Sequence, residues 1–350
     1  MPFSEERQEG ACYIFTDASD RRYLTGVDLA EGLLLVSEDS YLFADARYFY
    51  PLKKLLKGSG VTPVLYKGLG DVAEFIKSGK AGDITAIYLD FDKTSAKDYL
   101  FFKGVCDRVE NCAHVTAPLR EIKTPSEERF IGKACDIALK TLYSAVRNLK
   151  EGVTEREVKN YIERTIKDMG AEDTSFDTIV AFGKNTAVPH HVSGNSKLKK
   201  DCPVLIDMGC KINGYCSDIT RTFFFGNPTE EFIKVYEAVK EANAIAEKNI
   251  KVGTDRAQAD AFARDYLTEK GYGEYFTHSL GHGVGLDIHE APFLSPKASG
   301  ELKENTVFTV EPGVYIDGKF GVRIEDTVIL KVSGVKSFYR DEKSYIIAKN

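Results

Sequence analysis

The sequence predicts an α+β protein of two domains: a smaller N-terminal α/β unit over residues 1–122, then a larger pseudo-symmetric α+β unit over 123–350. Three observations predict it. Short β-like runs alternate with helical ones through the first third of the chain. A helix–glycine–helix pattern then occurs twice at one fixed offset. Each copy is followed by a β-rich segment that holds most of the distinctive polar residues.

The 350 residues suffice for two domains whose cores need no covalent staples. Apolar residues at 43% and charged residues at 29% are ordinary globular usage. Forty-seven basic and 53 acidic residues give a net charge of -6, and no stretch combines dense Lys/Arg with aromatics, which argues against a nucleic-acid face. Seven scattered cysteines read as reduced thiols, so a cytoplasmic location is expected. The opening MPFSEERQEG has no apolar core of a signal peptide, and no apolar run nears the ~20 residues of a membrane span.

In the first domain the strand candidates are 32–36 (GLLLV), 40–44 (SYLFA), 61–66 and 84–90, with helices over 71–78 and 95–104. It carries no cluster of carboxylates and imidazoles, so it is expected to be non-catalytic: scaffold, partner surface or active-site rim. The boundary falls in 118–125 (PLREIKTP). Thr124, Pro125 and the acidic Glu127-Glu128 signal a helix start, and Ile131, Ala134, Ala138, Leu142 and Val146 give 126–149 an amphipathic stripe.

The repeat follows. Gly152 and Gly253 stand 101 positions apart, as do Gly170 and Gly271, with matching helices around them. Thr154 with Glu157 reads as a capping box, and Asn227 reads as a cap with Pro228 at the first helical position. The β-rich segments are 175–226 and 276–347, so two αα-then-β halves are expected to face each other with a site between them.

Within the first β-rich segment, Asn213-Gly214 reads as a type I′ turn, which pairs Ile212 with Tyr215 and Asp207 with Thr220. Asp207 and Asp218 then share a face as diagonal neighbours, while Val204, Ile206 and Met208 point away. In the second segment Thr309 and Glu311 share a face, as do Arg323, Glu325 and Thr327. Between the Asp207/Asp218 hairpin and the Glu311/Glu325 segments lies the Gly-rich run 281–290, expected to be flexible, with His282 and His289. Taken singly, Asp218 reads equally as part of a surface ladder and Glu311 as turn punctuation. Jointly, four carboxylates and an imidazole make an oxygen-rich set that balances two divalent ions. Mn²⁺, Co²⁺, Fe²⁺ and Zn²⁺ all suit such ligands.

Other motifs fall away. HSLGH lacks the glutamate of a helical zinc pair and is broken by glycine, so His278 reads as a buried or supporting histidine. The Gly281, Gly283 and Gly285 spacing lacks the setting of a dinucleotide loop. Cys216 is expected on the site side of its hairpin, as a small buried hydrophobe near the metals.

The runs IDMG and SDITRTFFFG, HSLGHGVGLDIHEAP, TVEPGVY and GVRIEDTVIL resemble the motifs of the metallopeptidase family that contains Xaa-Pro dipeptidase (prolidase), Xaa-Pro aminopeptidase and methionine aminopeptidase. The resemblance covers 126–347 and implies a pita-bread catalytic domain. It implies that Asp207 chelates one metal, that Asp218 and Glu325 bridge the pair, and that His282 and Glu311 complete the other metal's shell. His190 and His289 match the family's substrate-contacting histidines, and Arg323 the arginine that pairs with metal-site carboxylates. Glu311 would also carry the proton from the nucleophile to the leaving nitrogen.

The first domain resembles the family's non-catalytic domain at 22–26 (RYLTG) and 44–48 (ADARY), though MPFSEERQEG is shorter than the helix with which relatives open. That extra domain sets methionine aminopeptidase aside. The implied function is hydrolysis of the Xaa-Pro bond, releasing the N-terminal residue, by a homodimer loaded with Mn²⁺ and acting on small peptides with proline second. Because no second arginine stands in a site motif to hold a dipeptide's carboxylate, the aminopeptidase is expected over the alternative, the dipeptidase. A catalytically silent peptide-binding scaffold is the remoter alternative.

Overall fold

The computed structural model describes residues 8–347, and the chain divides into two units between Arg120 and Glu121. Most of the opening segment discussed above therefore lies outside the described residues. The first unit runs β1 (Ala11–Phe15), α1 (Ala18–Thr25), β2 (Leu33–Val36), β3 (Ser40–Ala44), α2 (Ala46–Leu55), β4 (Val61–Leu65), α3 (Leu69–Lys77), β5 (Ala86–Leu89), α4 (Ala96–Lys103), β6 (Val109–Asn111) and α5 (Ala113–Glu121). Its six strands order as β4-β3-β2-β1-β5-β6. Tyr13, Phe15, Leu34 and Val36 enter one core, while Cys12, Ile14, Leu33 and Leu35 enter another on the opposite face. A sheet covered on both faces shows no polar alternation, so β1 escaped the strand pattern.

Helices α1 and α2 also escaped it. Each starts on an aspartate: Asp17 accepts from the Asp20 amide and Asp45 from the Arg47 amide. The stretch 118–125 proves to be less of a linker than expected. Its first half is helical, because α5 absorbs Pro118 at the cost of a backbone hydrogen bond. The buried Arg120–Asp20 ion pair, at 2.9 Å, fastens that end of the helix.

The second unit opens on α6 (Pro125–Arg147) and α7 (Glu155–Asp168), followed by β7 (Ile179–Phe182), β8 (Cys202–Met208), β9 (Lys211–Ile212), β10 (Tyr215–Cys216) and β11 (Ile219–Phe225). It repeats with α8 (Glu230–Asn249), α9 (Arg256–Glu269), β12 (Gly281–Gly283), β13 (Glu290–Leu294), β14 (Val307–Val310), β15 (Gly313–Ile316), β16 (Phe320–Arg323), β17 (Glu325–Lys331) and β18 (Gly334–Ser337). Helices α7 and α9 begin and end 101 positions apart. Gly152, Gly170, Gly253 and Gly271 all take positive φ, at 88°, 94°, 87° and 81°, a conformation in which a Cβ is strained.

Thr124 and Thr154 each close a capping box with Glu127 and Glu157. Asn227 does not cap α8, contrary to expectation. Thr229 does, accepting from the Phe232 amide at 3.1 Å, and Pro228 stays outside the helix. The Asn227 amide instead donates to Asp201 Oδ1.

One sheet joins the halves in the order β13-β12-β14-β17-β11-β8-β7, with β18 beside β17. The hairpins β8/β11 and β14/β17 stand side by side and meet at the antiparallel pair β11–β17. Each hairpin sheds a two-stranded ribbon, β9/β10 in one half and β15/β16 in the other. This is the pseudo-symmetric pita-bread unit implied by the resemblance. Helices α6 and α7 bury Ile131, Leu142, Ile162 and Ile166 on one half of the sheet, and α8 and α9 bury Val235, Val239, Ala263 and Leu267 on the other. Among the described residues, no helix is long and apolar enough to cross a membrane.

Candidate active site

The site is built where the two hairpins meet. Asn213 and Gly214 both have positive φ, at 48° and 72°, as a type I′ turn requires. The register follows from it: Ile212 faces Tyr215 and Asp207 faces Thr220. Thr220 in turn faces Glu325 across β11–β17 and donates to its Oε2 at 2.6 Å. Thr327 Oγ1 donates to the Asp218 carbonyl at 2.7 Å, and Thr222 Oγ1 to that of Arg323 at 3.0 Å. Short hydroxyls on adjacent strands thus pin the two acidic segments together.

His282 reaches the same place from β12. Of the run expected to be flexible, Gly281–Gly283 is strand, and 284–289 is an irregular turn. A Cβ on Gly281 would collide with the Thr309 carbonyl, and one on Gly283 with that of Ala291. These glycines let strands approach closely.

One cavity of about 460 Å³ is lined by all eight residues singled out in the sequence: His190, Asp207, Asp218, His282, His289, Glu311, Arg323 and Glu325. Ligand atoms of Asp218, His282 and Glu325 lie within 4.8 Å of one another, a grouping able to hold a metal ion. His282 Nε2 is 3.4 Å from Glu311 Oε1 and 3.7 Å from Asp218 Oδ2. Asp207 Oδ2 accepts from Arg323 Nη2 at 2.6 Å, whereas its buried Oδ1 has no hydrogen-bond partner among the described residues.

Burial, and then mutual repulsion, hold the carboxyls of Asp218 and Glu325 well above the ordinary carboxylate range. Glu311 is pushed up to about 8, mainly by burial and against the pull of Arg323. Burial and the neighbouring His289 ring, 4.3 Å away between centroids, lower His282 to about 4. His282 Nδ1 lies 3.1 Å from the Gly283 carbonyl. A carbonyl only accepts, so Nδ1 carries the proton and Nε2 turns its lone pair to the carboxylates. An orphaned carboxylate oxygen, a neutral imidazole aimed inward and crowded acids that resist ionising together fit a divalent cation, which would replace protons on binding.

A pH dependence follows. A carboxyl raised in the fold contributes stability below its unfolded value, near 4.5 for Glu311, and loses it as pH rises through about 8. His282, lowered in the fold, has delivered most of its share by its ordinary 6.5 and opposes this trend only slightly above it. Metal-free protein should therefore melt at a lower temperature at pH 8 than at 6.5, and Mn²⁺ should remove most of the difference. Parallel pH profiles with and without Mn²⁺ would contradict this.

Other expectations are placed or corrected. His278 is satisfied: Nδ1 donates to the Ser279 carbonyl, and Nε2 accepts from the Tyr315 hydroxyl, each at 2.9 Å. Tyr315 also accepts from Arg323 Nη1 at 2.8 Å. Cys216 does not line the cavity. Its ribbon turns away from the main sheet, and its thiol packs in the core 3.7 Å from the Leu286 carbonyl, with burial pushing it up to about 11. Tyr315 and Thr220 were not singled out from sequence, since each matters only through a partner across the sheet. The parallel placement of Thr220 and Thr327, two residues after Asp218 and Glu325, was a usable signal.

The model of metallopeptidase family M24 matches residues 129–331. The chain is 37% identical over 331 residues to an Xaa-Pro dipeptidase of Pyrococcus furiosus, covering 93% of this chain and 92% of that relative. Among solved structures, an Xaa-Pro dipeptidase from Bacillus anthracis matches with TM-score 0.91 at 36% identity, over 96% of this chain and 95% of that one. An X-Pro aminopeptidase from Thermotoga maritima MSB8 matches with TM-score 0.86 at 32% identity, over 95% and 96%. With its sheet, its cluster of carboxylates around His282 and these likenesses together, the chain is an enzyme that belongs to metallopeptidase family M24.

Proposed function

We propose that the protein is an Xaa-Pro dipeptidase, hydrolysing the bond before proline with two divalent ions, Mn²⁺ foremost. The observation that carries the chemistry is the convergence of Asp207, Asp218, His282, Glu311 and Glu325 on one cavity. The relatives named dipeptidase support the substrate class, and they favour it over the aminopeptidase expected from the sequence. Asp207, Asp218 and Glu325 would hold the ions with His282 and Glu311. Bound divalent ions lower the pKa of water and polarise a peptide carbonyl.

The protein's own groups do the rest. Glu311, fixed by Thr309 Oγ1 at 3.1 Å, is placed to take a proton from water and pass it to the leaving nitrogen. His190 and His289 face the cavity and are placed to orient the peptide and steady charge on its carbonyl oxygen. Arg323 keeps Asp207 in position. Phe176, Ile179, Ile288 and Phe293 give the cavity apolar walls suited to a pyrrolidine ring and a small side chain. Homodimerisation and a rim role for the first unit belong to the same reading, and sedimentation of the intact protein tests the dimer.

One observation favours a second reading, the aminopeptidase. Among the described cavity-lining residues there is no lysine, and Arg323 is committed to Asp207, Thr220 and Tyr315. A dipeptide's carboxylate would then meet only imidazoles. Comparing kcat/KM on Ala-Pro, Ala-Pro-Ala and Met-Ala-Ala with Mn²⁺ decides. A preference for Ala-Pro by about tenfold or more supports the dipeptidase, preference for Ala-Pro-Ala reverses it, and dominant cleavage of Met-Ala-Ala rejects proline specificity. Active protein holding fewer than one ion per chain would reject the two-ion site.

A further inference from the structure

We propose that Glu155, which does not line the cavity, is a positioning residue for substrate binding: its buried carboxylate clasps the loop that presents His190. The inference rests on the peptidase reading above. The connection from β7 to β8 covers 183–201; a 3₁₀ helix takes Gly183–Ala187, and the irregular remainder, 188–201, stands at the usual upper limit of about 12–15 residues for a loop in a compact domain. Pro189, His190, His191 and Val192 from this loop all line the cavity, and His190 and Val192 are exposed there. Something must hold so long a segment in one shape.

Glu155 does so from the first residue of α7, with no exposed surface of its own. Its Oε1 accepts from the Phe182 amide at 2.9 Å and from Asn185 Nδ2 at 2.8 Å. Its Oε2 accepts from His191 Nε2 at 2.9 Å and from the Gly194 amide at 3.0 Å. Donors from both ends of the 182–194 stretch thus converge on one carboxylate. Each oxygen takes two, so an acceptor-only group is fully used.

The mount is rigid as well. Thr154 caps α7 just before Glu155, and the Glu155 and Arg156 amides donate to the Ser196 and Gly194 carbonyls at 3.1 and 2.9 Å. The helix N-terminus also favours a negative charge at this point. A glutamine of the same shape would turn an NH₂ group toward two donors. That loses two hydrogen bonds and opposes two like dipoles.

The test uses Glu155→Gln and Glu155→Ala in the full chain, read by hydrogen exchange, Mn²⁺ binding and kinetics. The expected results are faster amide exchange confined to the 183–194 loop, Mn²⁺ affinity within about twofold of wild type, and KM for the cleaved peptide raised about tenfold or more. His191→Gln, which keeps a donor near the place of Nε2, should leave loop exchange low, while His191→Leu should raise it. Unchanged loop exchange in both Glu155 variants overturns the proposal, as does a fall in Mn²⁺ affinity parallel to the rise in KM, which would mark a general structural role. Should the wild-type enzyme cleave no Xaa-Pro peptide, the functional reading fails on its own, and the exchange data still decide whether the clasp exists.

Discussion

Exchange of Glu325 for glutamine should lower kcat/KM by about three orders of magnitude or more while leaving the metal-free protein at least as stable as wild type. The activity loss follows from position. Glu325 shares its ligand cluster with Asp218 and His282, and Thr220 holds its Oε2 at 2.6 Å. A neutral amide removes one of the charges that would attract and share the ions, and with it the polarising power the reaction needs. The stability result runs the other way. In the metal-free fold Glu325 is buried among Asp218, Asp207 and Glu311, and its carboxyl sits well above the ordinary range because ionising there is costly. Glutamine removes that cost. The measurement is the melting temperature of wild type and Glu325→Gln at pH 8, with and without Mn²⁺. Wild type should gain stability from the metal and the variant little or none. An equal Mn²⁺-induced rise in both would remove Glu325 from the ligand set.

The second large effect lies behind the site. Arg221 follows Thr220 on β11, and its side chain is only 1% exposed. Its guanidinium donates to Asp326 at 2.7 Å, to both oxygens of Asp341 at 2.7 and 2.9 Å, and to the Glu325 carbonyl at 2.6 Å. Tyr143 adds a hydrogen bond to Asp341, and Lys343 an ion pair to Asp326 at 2.8 Å. Arg221→Met keeps much of the bulk but strands the Asp341 carboxylate without a counter-charge and leaves Asp326 only Lys343, a defect that costs about 3–5 kcal/mol. Urea unfolding should show that loss. The double variant with Asp341→Asn should lose less than the two single changes added together, because the stranded charge is removed with its partner. Strict additivity would mean that the pair is not coupled. Burial pushes Asp326 up, but Arg221 and Lys343 overcome it and hold the carboxyl below its ordinary 3.8. Its stabilising share is thus present above that value and fades as pH falls through the lowered one.

Local chemistry made much of this molecule legible. Asn213-Gly214 accepts few geometries, so the turn fixes the register and places Asp207 opposite Thr220. Gly170 and Gly271 marked helix ends, since the left-handed position just after a helix is disfavoured for a residue with a side chain. Where several local signals compete, local pattern does not choose between them. Asn227 and Thr229 can each cap a helix, and the outcome turned on which hydroxyl or amide met the N3 amide. The 281–290 run looked flexible because glycine reads alike as hinge and as contact point. The collisions that exclude a Cβ at Gly281 come from Thr309, far along the chain.

By itself the sequence determined the two-unit α+β plan, the internal repeat and the shared faces of the carboxylate pairs, while its resemblance to a known family named His190, His289 and Arg323. The first three depend on period, turn chemistry and residue type, which act over a few positions. Only the tertiary structure decided how the acids are charged and what steadies them. The raised carboxyls of Asp218, Glu311 and Glu325 arise from burial and from one another, across strands separated by about a hundred residues. The Arg221 network and the Glu155 clasp likewise join segments that no local pattern connects. Desolvation and Coulomb repulsion act through space, so they take their values only when the chain has brought these groups together.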